Sequence, residues 1–216
     1  MKRNRHIYIA LICAHTGLGA VARRITGYRY THAAVCLDSS LTDFISYSRR
    51  RHYLPADAGF MHEKRDFYAF GKYTDFAAKV YRIPVSEENY ECVLRFISAC
   101  ESDPQQRFNL FSMATMPLLH GFRIYKTHNC MSFAARVAEL SGAIKLTKPY
   151  YRYSIKELDE LLCGFPVFEG IIRREPSAEY QRYMERPTAS EYLCTAAGLA
   201  FELTKRMILH KGETDE

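Results

Sequence analysis

The stretch HNCMSFAARVAEL, residues 128–140, carries the strongest structural signal in this chain. Its apolar positions recur at the spacing of one helix face, Asn129 is a favourable N-cap, and Gly142 is suited to the end of a helix. These features predict a helix over 129–140 that opens with Cys130. A thiol in this place lies where the backbone dipole favours its thiolate form, and the free amides of the first turn can hold a developing oxyanion.

A second informative stretch, YTHAAVCLD at residues 30–38, predicts a strand that begins with a histidine. If the fold brings His32 beside Cys130, the two side chains form a nucleophile and its base. The plainer interpretation is that Cys130 is a buried core cysteine and His32 a structural histidine. A helical cysteine or a strand histidine taken alone more often has such a role.

The remaining apolar patterns predict several further elements. The run 7–14 faintly resembles a signal peptide, but it is short and stops at His15, so it favours a buried first strand. Residues 50–66, with Pro55 and Gly59, predict a loop. Further strands are expected at 43–48, 77–83 and 165–172, and further helices at 20–25, 87–99, 154–162 and 188–210, with a helical start at 108–119.

Composition indicates a globular protein with an ordinary charge content. The 216 residues are 48% hydrophobic, and 30 Lys and Arg against 24 Asp and Glu give a net charge of +6. Two basic runs, 49–51 and 173–174, are expected to be solvated surface, so no nucleic-acid partner is expected. We expect one main domain at 1–174 and a C-terminal helical appendage at 175–216.

The appendage carries an apolar stripe over 189–209. A helix with such a stripe must pack its apolar face against another protein surface. It could pack on its own domain, cover the groove of a site, or pair with a second chain, and its modest, alanine-rich stripe favours the first.

The seven cysteines are odd in number, irregularly spaced and without a CxxC pair. This pattern predicts neither a disulfide framework nor a zinc ribbon, and it favours a reducing, cytoplasmic location. Cys36 and Cys92 lie in apolar runs and are expected to be buried. His128 and Cys130 with His120, or Cys13 with His15, supply metal-ligand types without a standard zinc spacing, so no metal or other cofactor is expected.

Five short motifs, taken together, resemble one family. They are THAAVCLD (31–38), ISYSRR (45–50), GFMHE (59–63), FNL (108–110) and NCMSFAARVAELSG (129–142). In order and spacing they are similar to the circularly permuted branch of the NlpC-type papain-like hydrolases, which includes lecithin:retinol acyltransferase-like and YiiX-like bacterial proteins. The resemblance spans about residues 7–173. Papain-like enzymes normally place the cysteine before the histidine, and the permuted branch reverses that order.

The resemblance implies an α+β fold with an antiparallel sheet packed on helices. It implies Cys130 as nucleophile and His32 as general base. Relatives carry a third, orienting His, Glu or Gln on the strand after the histidine strand, where this chain has Ser46 and Ser48. Glu63 matches the acidic position of the glycine-phenylalanine motif and is the first choice for this role, with the two serines as alternatives.

The expected function is therefore a cysteine hydrolase of the amidase or thiol peptidase type, or an acyltransferase. It would act on an amide, ester or thioester, and cell-wall peptide, lipid and protein side chains all remain open as substrates. Two departures from the family pattern, Ala58 in place of a glycine and Met131 where serine is frequent, leave room for an alternative. That alternative is a catalytically inactive interaction or scaffold protein with the same fold.

Overall fold

A six-stranded antiparallel sheet forms the centre of the structure, which is a computed structural model describing residues 5–210. Its strand order is β4-β3-β2-β1-β5-β8, and β6 and β7 form a separate short parallel pair. The strands are β1 (Arg5–Cys13), β2 (His32–Cys36), β3 (Phe44–Arg49), β4 (Ala58–Glu63), β5 (Asp75–Val85), β6 (Arg107–Phe108), β7 (Thr127–His128) and β8 (Pro166–Arg173).

Eight α-helices and one short 3-10 helix at Tyr150–Arg152 surround this sheet in the described part of the chain. The helices are α1 (Gly17–Thr26), α2 (Arg65–Tyr68), α3 (Glu87–Ser102), α4 (Leu110–Leu119), α5 (Cys130–Leu140), α6 (Ile155–Leu161), α7 (Tyr180–Tyr183) and α8 (Ala189–Leu209). The expectation of an α+β protein with an antiparallel sheet packed on helices is therefore met. No helix within residues 5–210 is long and apolar enough to cross a membrane.

The first strand is central and buried on both faces, as its uniformly apolar sequence predicts. Ile7, Ile9 and Leu11 face a large core that also contains Phe133 of α5. The alternate residues, such as Ile12, face a smaller core on the opposite side of the sheet. The sheet thus separates two apolar layers, and the helix that opens with Cys130 belongs to the larger one.

The prediction of a loop over residues 50–66 is wrong in its second half. Ala58–Glu63 form β4, which pairs with β3 from Phe44↔Glu63 to Arg49↔Ala58, and α2 follows at Arg65–Tyr68. The sequence AGFMHE contains glycine, histidine and glutamate and lacks a clean apolar alternation. This strand is specified by its pairing with β3 rather than by local propensity.

Two smaller expectations also need correction. Cys92 is half-buried on α3, whereas Cys36 is fully buried as expected. The basic run 49–51 is not simply solvated, since Arg49 donates to the Tyr183 hydroxyl and Arg51 bridges Asp57 and Glu191. These arginines bind the C-terminal segment.

The C-terminal segment packs on the main domain, and α8 has the bounds that its apolar stripe predicts. The buried Asp66 carboxylate accepts hydrogen bonds from the amide and the hydroxyl of Ser177 at 2.7 and 3.0 Å. The Tyr183 ring stacks on Phe67 with centroids 4.1 Å apart. A third small core joins Leu199 and Leu203 of α8 to Ile124. Residues 211–216 of the expected appendage lie outside the described part of the chain.

Candidate active site

His32 and Glu63 meet across the sheet. His32 is the first residue of β2 and Glu63 is the last residue of β4, two strands away. The His32 Nε2 atom lies 2.7 Å from Glu63 Oε2, and the two side chains are 13% and 3% exposed. This short contact between nearly buried groups is a charge-assisted hydrogen bond in which the ring nitrogen donates to the carboxylate.

The Glu63 carboxylate is held by a ring of hydroxyl donors. Ser46 and Tyr68 donate to the same Oε2 atom, the tyrosine at 3.0 Å, and Ser48 also hydrogen-bonds to this side chain. The serines named as alternative third residues therefore contact Glu63. Glu63 is the side chain that reaches the histidine. Hydroxyl donors of this kind stabilise the ionised form of a buried carboxyl.

Opposing effects set the charge states of this pair. Burial lowers the pKa of His32, but the charge of Glu63 and the contact with Cys130 outweigh it and raise that pKa to about 10. Burial raises the pKa of Glu63, but His32 and the serine hydrogen bonds together bring it below its ordinary value. An imidazolium and a carboxylate are thus the favoured forms at neutral pH.

Cys130 completes the array from the opposite direction. It is the first residue of α5, is 5% exposed, and its thiol interacts with the His32 side chain, which raises the pKa of the imidazole. Because Nε2 faces Glu63, Nδ1 is the ring nitrogen left for the sulfur. The sulfur thus lies at a helix N-terminus beside a charged imidazole, which is the arrangement of a nucleophile next to its base.

A capping box fixes the start of α5. The Asn129 side chain accepts from the Ser132 amide at 2.9 Å, and the Ser132 hydroxyl accepts from the Asn129 amide at 2.9 Å. The box occupies the third amide of the helix. The amides of Cys130 and Met131 remain, and an α-helix supplies no acceptor for them. They lie next to the sulfur, where an acyl oxygen would develop negative charge.

His128, a second histidine near the thiol, has a different environment. Its ring packs against Tyr47, Phe96 and Phe133, and burial is the main reason that its pKa falls to about 3. This neutral, aromatic-packed ring belongs to the core.

One histidine considered as a metal ligand makes a structural contact. His15 Nε2 bonds the Asp75 carbonyl at 3.0 Å and its ring stacks on Tyr73, which gives it a structural contact of its own. Within residues 5–210, no three His, Cys, Asp or Glu side chains come together in a group that could hold a metal.

Tyr68 is the site residue that sequence reasoning missed. It lies on α2, just after the residues 50–66 interpreted as a loop, and its ring also packs near the His32 ring with centroids 5.7 Å apart. Without β4 in place, nothing in the pattern DFY at residues 66–68 connects it to the histidine strand.

Two surface cavities lie elsewhere. One of about 750 Å³ is lined by residues that include Arg107 and Lys205, and one of about 250 Å³ by residues that include Met61 and Arg182. Neither lining includes Cys130, His32 or Glu63. Contacts among the three side chains, and not a surface cavity, define this site.

Fold and site together define an α+β protein in which a buried histidine bonds a buried glutamate and interacts with a buried cysteine. Comparison of the chain with protein-family models, curated proteins and solved structures finds no match. The interpretation of this array therefore depends on its geometry.

Proposed function

We propose that this protein is a cysteine hydrolase or acyltransferase of the amidase or peptidase type. Cys130 is the nucleophile, His32 the general base and acid, and Glu63 the residue that orients and charges the histidine. One observation carries the proposal, namely that the His32 imidazole interacts with the Cys130 thiol at a helix N-terminus and also bonds the Glu63 carboxylate at 2.7 Å. This is the arrangement in which a nucleophile is activated by a base that a third group orients. The motif resemblance to permuted papain-like enzymes gives it independent support.

The proposed reaction has two half-reactions. The Cys130 sulfur attacks the carbonyl carbon of an amide, ester or thioester, a carbon–sulfur bond forms, and the amides of Cys130 and Met131 donate hydrogen bonds to the oxyanion. The bond to the leaving group breaks as His32 gives it a proton. In the second half-reaction His32 takes a proton from the acceptor, which attacks the acyl carbon and releases the Cys130 sulfur. Water as acceptor gives hydrolysis, and another nucleophile gives acyl transfer.

The near-complete burial of the array is suited to this chemistry. Electrostatic interactions gain strength as water is removed, so the imidazolium and the helix amides act on the sulfur in a low-dielectric setting. The 13% exposure of His32 marks it as the more accessible of the three side chains. We infer that an acyl substrate approaches over the histidine ring.

We also propose a cytoplasmic location. All seven cysteines are free, among them the exposed Cys163 and Cys194, which suits a reducing compartment.

The decisive experiment uses para-nitrophenyl acetate as an acyl probe. The wild-type protein should release a burst of nitrophenol and carry an acetyl group on Cys130, located by mass spectrometry of peptides. Cys130→Ser should abolish the burst and His32→Gln should reduce it strongly. Cys92→Ser, a half-buried thiol on α3, is the matched control and should behave as wild type.

Acetylation of Cys163 or Cys194 with Cys130 left unmodified would overturn the nucleophile assignment. A folded wild-type protein that forms no acyl adduct on any cysteine would instead favour the scaffold alternative.

A further inference from the structure

The two edges of the central sheet differ. The β4 edge is mostly buried, with Ala58, Gly59 and Glu63 covered. The β8 edge is open, and it exposes the large apolar side chains of Val167, Phe168 and Ile171 by 48%, 39% and 56%. An eight-residue open strand with exposed apolar side chains is a template for pairing with another strand.

The pairing of β8 with β5 fixes which of its backbone groups point outward. The Arg174 amide donates to the Thr74 carbonyl at 2.8 Å, so the even-numbered residues 168, 170 and 172 face β5 as hydrogen-bonded pairs up to the register shift at Val80/Tyr81. The odd-numbered residues Glu169, Ile171 and Arg173 therefore direct their amides and carbonyls away from the sheet. Within residues 5–210 these outward amides have no hydrogen-bond partner.

We propose that β8 is a dimerisation strand that pairs antiparallel with β8 of a second copy of this chain. The two-fold axis passes through Ile171, and the two six-stranded sheets join into one continuous sheet. Glu169 lies opposite Arg173 of the second copy, and the reciprocal pair lies on the other side of the axis. Each of these facing pairs exchanges two backbone hydrogen bonds, as in any antiparallel ladder.

Charge selects this register from its neighbours. An axis through Glu169 places two glutamates face to face, and an axis through Arg173 places two arginines face to face. Like charges directly opposite one another destabilise a strand pair, whereas opposite charges stabilise it. An axis at Gly170 places Glu169 opposite Ile171 and Arg173 opposite Val167, so neither charge meets an opposite charge. An axis at Ile172 places Glu169 opposite Glu175 of the second copy. Of the registers compared, only the one centred on Ile171 pairs outward backbone groups with each other and also places opposite charges face to face.

The strand is thus complementary to itself, which favours a second copy over an unrelated partner. The exposed Ile171 side chains meet at the axis, and they are removed from water together. Within residues 5–210 no further strand pairs with this edge, since β8 is the last strand in the sheet order.

The test is the mass of the protein in solution, measured by sedimentation and by light scattering over a wide range of concentration. The wild-type protein should be a dimer that dissociates on dilution. Ile171→Lys should shift it to monomer, since two lysines would meet at the axis. Ile25→Lys removes a comparably exposed apolar side chain, 67% exposed on α1, and should leave the dimer intact. Thermal melts of both variants check that the fold is kept.

A second measurement fixes the register. In a background carrying Cys163→Ser and Cys194→Ser, Ile171→Cys should cross-link to its counterpart on mild oxidation, because facing Cα atoms in a ladder lie about 5.5 Å apart, within disulfide reach. Val167→Cys lies four residues from the axis and should not cross-link. A monomeric wild-type protein would overturn the proposal. So would a dimer that survives Ile171→Lys and fails to cross-link at residue 171.

Discussion

His32 stands between two groups that both favour its charged form, the Glu63 carboxylate at 2.7 Å and the Cys130 thiol. Sequence motifs could name all three residues, because each lies in a short recognisable pattern. They could not choose between Glu63 and the two serines, since that choice depends on the reach of side chains across three strands. In the structure Glu63 is the group in contact with the imidazole, and both serines hydrogen-bond to Glu63.

The raised pKa of His32 predicts a pH-dependent stability. Its folded value of about 10 lies above its ordinary value of 6.5, so the native state binds the proton more tightly than the unfolded chain does. The resulting stabilisation is complete below pH 6.5 and is lost as the pH rises towards about 10. The melting temperature of wild type should fall over this range by several degrees more than that of His32→Gln, at about 2–4 °C per kcal/mol. Parallel pH curves for the two proteins would contradict this linkage.

Replacing Glu63 by Gln should lower the pKa of His32 by about 1–3, because a carboxylate in contact stabilises the imidazolium by that amount. Titration of the His32 ring protons by NMR measures this directly. Ser46→Ala removes one donor to Glu63 and leaves its charge in place, so it should cause a smaller decrease. An equal decrease in the pKa of His32 in the two variants would contradict the assignment of Glu63 as the main group that charges the histidine.

Cys130 should react with iodoacetamide near neutral pH faster than any other cysteine, although it is 5% exposed while Cys163 and Cys194 are exposed. Activation by His32 and the helix start outweighs restricted access in this prediction. Peptide mapping after partial alkylation gives the order of labelling. Earlier labelling of either exposed cysteine, with Cys130 inert, would show that access decides.

At the scale of elements, α5 was predictable because every local signal agreed. Its apolar face, its N-cap and its final Gly142, which has a φ of 70°, all indicate the same helix. The first strand was predictable for the same reason. β4 was not, because its six residues have little strand propensity and acquire their conformation from pairing with β3. The acidic member of the site lies on the least predictable strand of the sheet.

The caps of α5 and α6 allow a matched comparison. Both helices start with a capping box, Asn129 with Ser132 and Ser154 with Glu157. Asn129→Ala and Ser154→Ala should each cost about 1 kcal/mol of unfolding free energy, measured by denaturant titration. Only Asn129→Ala should also slow alkylation of Cys130, since it alone loosens the turn that carries the thiol. Equal alkylation rates in the two variants would show that the cap of α5 does not contribute to the reactivity of Cys130.

At the scale of the whole molecule, the sequence predicted an α+β protein and the existence of the C-terminal helix. It did not predict how that segment attaches. Besides the small core that Leu199 and Leu203 form with Ile124, its contacts involve polar or aromatic side chains outside the apolar stripe. These side chains are Asp66, Tyr183, Arg49 and Arg51. Periodicity reports which face of a helix is apolar, and it carries no information about partners far away in the chain.

Truncation after Glu175 should lower the melting temperature and increase binding of an apolar dye. The shortened chain would lose the cover of Tyr183, Leu199 and Leu203, and it would leave the buried Asp66 carboxylate without its Ser177 donors. An uncompensated buried charge is among the costliest defects in a protein. Differential scanning calorimetry measures the loss. An unchanged melting temperature would contradict the packing role of this segment.

The position of Glu63 on the β4 edge strand has a consequence for heat resistance. The chain entering β4 is held by the C-terminal segment, where the His52 amide donates to the Tyr183 carbonyl at 2.7 Å and Arg51 pairs with Glu191. Edge strands open locally at a lower free energy than central ones, and such openings appear as early amide hydrogen exchange. Opening of β4 alone withdraws the carboxylate from His32 while β1, β2 and β5 stay paired. Activity should therefore disappear on warming before the secondary structure does, and the gap between the two temperatures measures how firmly the C-terminal segment holds this edge.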